Sequence, residues 1–352
     1  MRPWRAALLV ALAAGTVALL GEAGGPMLSK SVRTLDHLNW AWVPLAVAAE
    51  AGSMAAFARS QRRLLRAGGG SRLPMGSVLA VTYAGNAVSA SLPFSGSGLA
   101  TGYTYRRYNE RGINAAVAAW ALAVSGMFSS FAFALVLAGG AVASRSATAT
   151  SLGLTAAALA LLPSLVVVAA LRSMAARRRL NAAFARLTRL ARRASGHPRP
   201  GAEGSFERLL DRMATLRLPG RQYAEVLGLA VWNWAADCLC LAAAIRATGS
   251  HVPWHGLLLA YGAGMSAGSI GLTPGGLGVI EAALAAALTA TGISGEHALA
   301  AVLVYRLVSF WLVMACGWGA MAALAHQHRR AEARRARRAA SQGQTVATRD
   351  VR

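Results

Sequence analysis

The chain is poor in charge, in acids and in cysteine. Only 14% of its 352 residues are charged and 13 are acidic, where an ordinary soluble protein carries about a quarter charged residues. That excludes a typical soluble enzyme of this length. The three cysteines, Cys238, Cys240 and Cys316, lie in apolar runs and have neither disulfide-framework nor zinc spacing. Catalytic and nucleotide motifs are also missing. Ser97 sits between glycines without the strand-turn-helix setting of a nucleophile elbow, and Gly96-x-Gly98-x-x-x-Gly102 has the wrong spacing for a phosphate loop. His251 and His255 could share a helix face as metal ligands but read more simply as wetted loop residues, so neither metal nor cofactor is expected.

Apolar sequence takes the place of what is missing. The chain is 55% hydrophobic with a mean hydropathy of +0.44, and a helix needs about 20 apolar residues to cross a bilayer. Residues 6–20, 40–57, 113–137, 152–171, 223–245 and 298–324 read as six spans. The first could instead be the apolar core of a cleaved signal peptide, but its length and the poor cleavage sequence Gly-Glu-Ala favour a retained helix. Two more apolar stretches, 75–103 and 254–290, are broken by proline and glycine. The expected class is an all-α polytopic membrane protein: about six full spans plus two re-entrant or short-helix hairpins.

The net charge of +23 would suggest nucleic acid in a soluble protein. Here the basic residues cluster between spans, which positive-inside topology explains, and no nucleic-acid partner is expected. Placing 1–5, 59–72, 106–111, 172–221 and 329–352 in the cytoplasm puts 31 of the 36 basic residues there. Stretch 75–104 must then start and end inside, and 254–292 must start and end outside. A single membrane domain, 1–328, would hold the basic loop 172–221, in which 205–218 is either an amphipathic helix on the inner leaflet or part of a solvated loop. The basic tail 329–352 reads as disordered.

An internal repeat accompanies this topology. Ala48-Ala-Glu50 and Arg59 match Ala235-Ala-Asp237 and Arg246 at an offset of 187. Tyr83 matches Tyr261, Pro93 matches Pro274, Gly98-Leu99 matches Gly276-Leu277, and Gly112-Ile113 matches Gly292-Ile293. With opposite orientations the copies form an inverted repeat, and broken helices at matching places point to a midplane site.

The strongest candidate for that site is Gly271-Leu-Thr-Pro-Gly-Gly-Leu-Gly-Val-Ile-Glu281. Pro274, Gly275, Gly276 and Gly278 cannot continue a helix, and irregular backbone at membrane depth must be buried in protein or line a cavity. A new helix starting near Gly276 would offer free N–H groups and a positive dipole end to an anion. Pro93, Gly96 and Gly98 hold the matching place in the first half. Glu50, Asp237, Glu281 and Arg306 would each cost about 3 kcal/mol facing lipid, so all four should face the interior. Two roles are open to them: a structural ion pair at Arg306, or a phosphate held by Arg306 and the hairpin N–H groups while the acids take protons or a cationic headgroup.

Thr273-Pro-Gly-Gly-Leu-Gly-Val-Ile-Glu281, followed by Tyr305-Arg306, resembles the membrane half of bacterial lysylphosphatidylglycerol synthases. It equally resembles the stand-alone flippase-like integral membrane proteins that share that region. Asn86, Leu92-Pro93, Tyr105-Arg106-Arg107 and Gly112 fit the same family, and the likeness runs from roughly residue 5 to 325. The resemblance implies a helical membrane domain that binds anionic or aminoacylated phospholipid and, in some members, moves it between leaflets. Two departures bear on function. Only a short polar tail follows the last span, so aminoacyl-tRNA-dependent synthesis by a soluble domain is not expected. Gly96-Ser97-Gly98-Leu99 also lacks the acid many relatives carry after that glycine. The expected function is lipid binding and translocation through a midplane cavity of a bacterial-type plasma membrane, with both termini cytoplasmic. A non-transporting scaffold for envelope lipid metabolism is the alternative, a lipid-modifying enzyme is disfavoured, and a homo-oligomer is left open.

Overall fold

Long Ala-, Leu- and Val-rich runs, with caps only at their ends, make this chain helical, and no strand occurs among the described residues. The computed structural model describes residues 38–330 except 71, 94–95, 145–146, 196–201, 217, 219, 270 and 328. The expected first span, 6–20, and the tail beyond 330 lie outside the described residues.

The first helix, α1 (Val43–Ala67), follows a 3₁₀ turn at Trp40–Trp42 whose first free N–H groups are met by Asn39: its side chain accepts from the Ala41 N–H. Then come α2 (Met75–Ser91) and α3 (Gly96–Asn109) of the first hairpin, and α4 (Ala115–Ala143), capped by Asn114, which accepts from the Ala116 N–H at 2.9 Å. The expected span 152–171 is split into α5 (Ala147–Ala160) and α6 (Leu162–Arg172), the break lying just before Pro163, which has no N–H to donate. The basic loop is more helical than its composition suggests. It contains α7 (Met174–Ser195) and α8 (Ala202–Thr215), the second close to the amphipathic helix expected at 205–218. Next are α9 (Gly220–Ala247), α10 (Trp254–Ser269) and α11 (Val279–Ala290) of the second hairpin, and α12 (Gly295–Gln327).

Five described segments are long and apolar enough to cross a membrane: Trp40–Ala67, Ala115–Ala143, Gly153–Ala170, Gly220–Ala247 and Gly295–Gln327. They coincide with five of the six expected spans. The protein is an all-α, multi-pass membrane protein.

Its centre is the long contact between α1 and α9. These helices run antiparallel. Asn39 at the start of α1 donates its N–H to the Ala247 carbonyl at the end of α9, and Arg63 at the far end of α1 pairs with Glu225 near the start of α9. Within the contact Asn233 Nδ2 donates to Ser53 Oγ at 2.7 Å. Each helix leads into a hairpin. The open end of α2–α3 is tied to the end of α1, where Tyr108 bonds Gln61 and Arg62 bonds the Leu73 carbonyl. The open end of α10–α11, where Gly256 meets Thr291, follows the end of α9. The two hairpins therefore open at opposite ends of the α1–α9 pair.

Their tips meet against α12. The turn at Pro274–Gly276 touches α2, and Phe310 and Met314 of α12 pack with Ala87 and Leu277. α12 serves both hairpins. Its Arg306 reaches the second hairpin, while Gly317 lies directly on the Tyr83 carbonyl and Ala87 of the first, where no side chain larger than hydrogen fits. Between them one turn, Leu307–Leu312, is π-helical.

Candidate functional site

The second hairpin turns on left-handed backbone, which glycine supplies without steric cost. Gly271, Gly275, Gly276 and Gly278 all have positive φ, from 58° to 82°. Gly275 has a second reason to be glycine: a Cβ there would collide with the Phe310 ring. The result is a 3₁₀ turn, Pro274–Gly276, whose Gly276 and Leu277 N–H groups bond to the Thr273 and Pro274 carbonyls. The helix expected to start near Gly276 therefore begins three residues later, at Val279 with Gly278 as its cap. The delay follows from Gly275, Gly276 and Gly278, whose positive φ no α-helix can contain. Gly276 is buried beneath Ile280, and its N–H is already used.

Glu281 folds back over the new helix start. Its Oε2 accepts the Gly278 N–H at 2.6 Å, and its Oε1 accepts from Arg306 Nε at 2.6 Å. Arg306 also donates through Nη2 to the Gly275 carbonyl at 2.8 Å and stands over the Phe310 ring, 4.4 Å from its centre. Nη1 is left as a spare donor among the described residues. Glu281 is 3% exposed and Arg306 6%. One carboxylate thus meets the positive end of α11 and the guanidinium together, the arrangement that lets a buried pair tolerate loss of water.

Glu50 and Asp237, matched in the repeat, come together across the α1–α9 contact, close enough for their carboxyl groups to interact directly. Asp237 accepts hydrogen bonds from the Tyr261 hydroxyl at 2.6 Å and the Tyr305 hydroxyl at 3.0 and 3.2 Å. Both tyrosines are fully buried. Glu50 is 4% exposed, and its Oε2 has no partner among the described residues. All four intramembrane charged residues thus lie toward the protein interior, in two neighbouring groups linked through consecutive residues Tyr305 and Arg306. Sequence reasoning did not single out the tyrosines as Asp237 partners. Tyr261 stood in the repeat and Tyr305 beside Arg306, but 24 and 68 residues of chain separate them from Asp237.

The first hairpin holds its expected residues differently. Gly96 is buried where a Cβ would strike the Ser89 carbonyl, so it lets α2 and α3 approach closely. Gly98 has open space around it and borders an apolar cavity, and Pro93 lies at the tip between the two helices. Outside the membrane, burial raises the Glu110 pKa, but hydrogen bonds from Arg106 and Arg107 outweigh it and leave the carboxyl below its ordinary value.

The second hairpin is thus broken by Pro-Gly-Gly-x-Gly, and its glutamate is bonded to an arginine of α12. The family model of the lysylphosphatidylglycerol synthase TM region matches residues 6–317. The chain belongs to that family. It is also 28% identical over 129 residues to a UPF0104 membrane protein of Methanothermobacter thermautotrophicus, a match covering 34% of this chain and 38% of that protein. The chain thus aligns with well under half of that relative. Within the family match fall every intramembrane charge described above and both hairpins.

Proposed function

We propose that this member of the lysylphosphatidylglycerol synthase TM region family binds an anionic or aminoacylated phospholipid at the break of its second hairpin and moves it between leaflets. The observation that carries this reading is Arg306: a buried guanidinium of α12 set against the break of the second hairpin, with a spare donor. The carboxylate of Glu281 occupies the place a phosphate would take, since it accepts from the guanidinium and caps α11 at once. A lipid phosphate would exchange with Glu281 on Arg306, so that the guanidinium always keeps a counter-charge in low dielectric while Glu281 stays on the Gly278 N–H at the start of α11. The antiparallel α1–α9 pair, with hairpins opening at its opposite ends, supports an inverted repeat and alternating exposure of this site. A plasma membrane with the basic loops inside completes the proposal.

The completeness of the Glu281–Arg306 pair favours one competing reading, a scaffold that binds lipid but moves none. Proteoliposomes carrying labelled phosphatidylglycerol in one leaflet separate the two. Under the proposal the wild type moves label across, while a refolded Glu281→Gln/Arg306→Gln double variant does not. Full transport by the double variant would show that Arg306 is only a structural partner. No transport by the wild type, with lipid still bound, would leave the scaffold.

A further inference from the structure

We infer that a separate pocket in the first half of the chain binds a lipid whose headgroup is uncharged and hydroxylated, of the glycerol or hexose type. The pocket lies among α1–α4, has a volume of about 220 Å³ and has no charged side chain in its lining. Its floor is Gln61, Thr82, Thr104 and Ser125, all buried, and Ser97 and Thr101 form part of its exposed rim. Thr82 and Ser125 are each 3% exposed, yet neither side-chain hydroxyl has a partner among the described residues. Buried hydroxyls without partners are uncommon, because nothing replaces the water they lose. Both residues belong to the wall of this one pocket, and a rotation about χ1 is what brings either hydroxyl to an occupant, since neither oxygen is open to the pocket as it stands.

Comparison of the two halves says what kind of occupant. Gly112 and Gly292, with φ of 79° and 97°, make the same turn 180 residues apart, and each is followed by a helix cap, Asn114 and Ser294. Counted along the helices flanking that turn, where the offset is 180 and no longer the 178 of the Gly98–Gly276 match, Glu281 corresponds to Thr101 and Arg306 to Gly126. Both Thr101 and Gly126 line the pocket. Where the second half holds an ion pair, the first half has a hydroxyl, an absent side chain and the space this leaves. An ionic headgroup finds no countercharge here, whereas hydroxyls can both donate to and accept from Thr, Ser, Gln and Asn side chains. The volume equals that of about seven waters at ~30 Å³ each, enough for a small polyol.

The pocket also has an apolar neighbour. Thr101, Leu122 and Gly126 are shared with a cavity of about 930 Å³ whose wall includes Met127, Pro163, Val167 and Leu209. A polar floor beside a long apolar cavity fits an amphiphile better than a free sugar. This inference does not rest on the anion site of α11 and α12.

The test uses the purified full-length protein and native mass spectrometry, with hexosyl-diacylglycerol, diacylglycerol of the same chains, and free hexose as probes. The wild type should retain the hexosyl lipid about tenfold more than diacylglycerol, the discrimination two net hydrogen bonds provide, and should retain no free hexose at equal concentration. Thr82→Val and Ser125→Ala remove one hydroxyl each and should each lower the preference about threefold. Gly126→Leu, placed where a Cβ meets nothing within 4 Å, should fill the pocket and abolish the preference, which keeps the test open even if a hydroxyl variant fails to fold. His255→Ala, an exposed position on the second hairpin away from this pocket, should leave it unchanged. Equal retention of both lipids would mean a water-filled pocket and overturn the inference. Free hexose bound as well as the lipid, or a preference that survives Gly126→Leu, would also overturn it, as would loss of the preference in His255→Ala.

Discussion

Arg306 and Glu281, 25 residues apart in sequence, are joined by a 2.6 Å ion pair with side chains 8% and 3% exposed. Removing one member strands the other in low dielectric, which costs about 3–5 kcal/mol. Glu281→Gln and Arg306→Gln should each lower thermal stability strongly in detergent, and the double variant should recover most of the loss. Additive losses would show that the two side chains do not act as a pair.

The glycines of the hairpin should rank by what surrounds them. Gly278→Ala meets open space and costs only left-handed strain, about 1–2 kcal/mol. Gly275→Ala carries the same strain plus collision with Phe310, and overpacking adds about 1–3 kcal/mol. Melting curves should place Gly275→Ala clearly below Gly278→Ala. The reverse order would mean that the turn is not packed on Phe310.

Asp237 has two hydroxyl donors, so its tyrosines should behave non-additively. Tyr261→Phe or Tyr305→Phe alone leaves one hydroxyl donor and should cost about 1 kcal/mol, whereas the double variant leaves the part-buried carboxylate with neither and should cost about 1–3 kcal/mol beyond the sum. Denaturation of the four proteins measures the coupling directly.

Topology can be read with cysteines placed at exposed ends of the two hairpin connections. In a background lacking Cys238, Cys240 and Cys316, Arg72→Cys and His251→Cys should label from opposite sides of the membrane, position 72 from the cytoplasm. Labelling of both from one side would break the topology.

Glu110 gives the pH dependence its sign. Its carboxyl is held below its ordinary value, so it is stabilising above the unfolded pKa, and that stability is lost as pH falls through the lower folded value. The difference in melting temperature between wild type and Glu110→Gln should be present at neutral pH and vanish in acid. A difference that persists in acid would exclude its charge as the cause.

Spans were legible because length and hydropathy alone demand them, and the hairpins because proline and glycine at membrane depth leave few alternatives. The start of α11 was not, since consecutive glycines can turn either way and only packing against Phe310 and Ile280 selects the left-handed path to Val279. α7 was hidden by its arginines, which read as a solvated loop although Arg, Ala and Leu are good helix formers. Glu281 and Arg306 were both marked as interior from the cost of exposing charge, and their mutual bond was one of two readings left open. Nothing in the one-dimensional pattern announced that Thr82 and Ser125, on different helices, would share a pocket.

The π-helical turn at Leu307–Leu312 sets a phase. A residue advances an α-helix by about 100°, so the wide turn offsets the face bearing Arg306 from the face bearing Gly317 relative to an unbroken α-helix. One helix thereby addresses the second hairpin with one end and the first with the other, each at its own angle. Deleting a single residue within the turn would leave both faces intact but rotate one against the other, like a key recut with every tooth present and the bow turned.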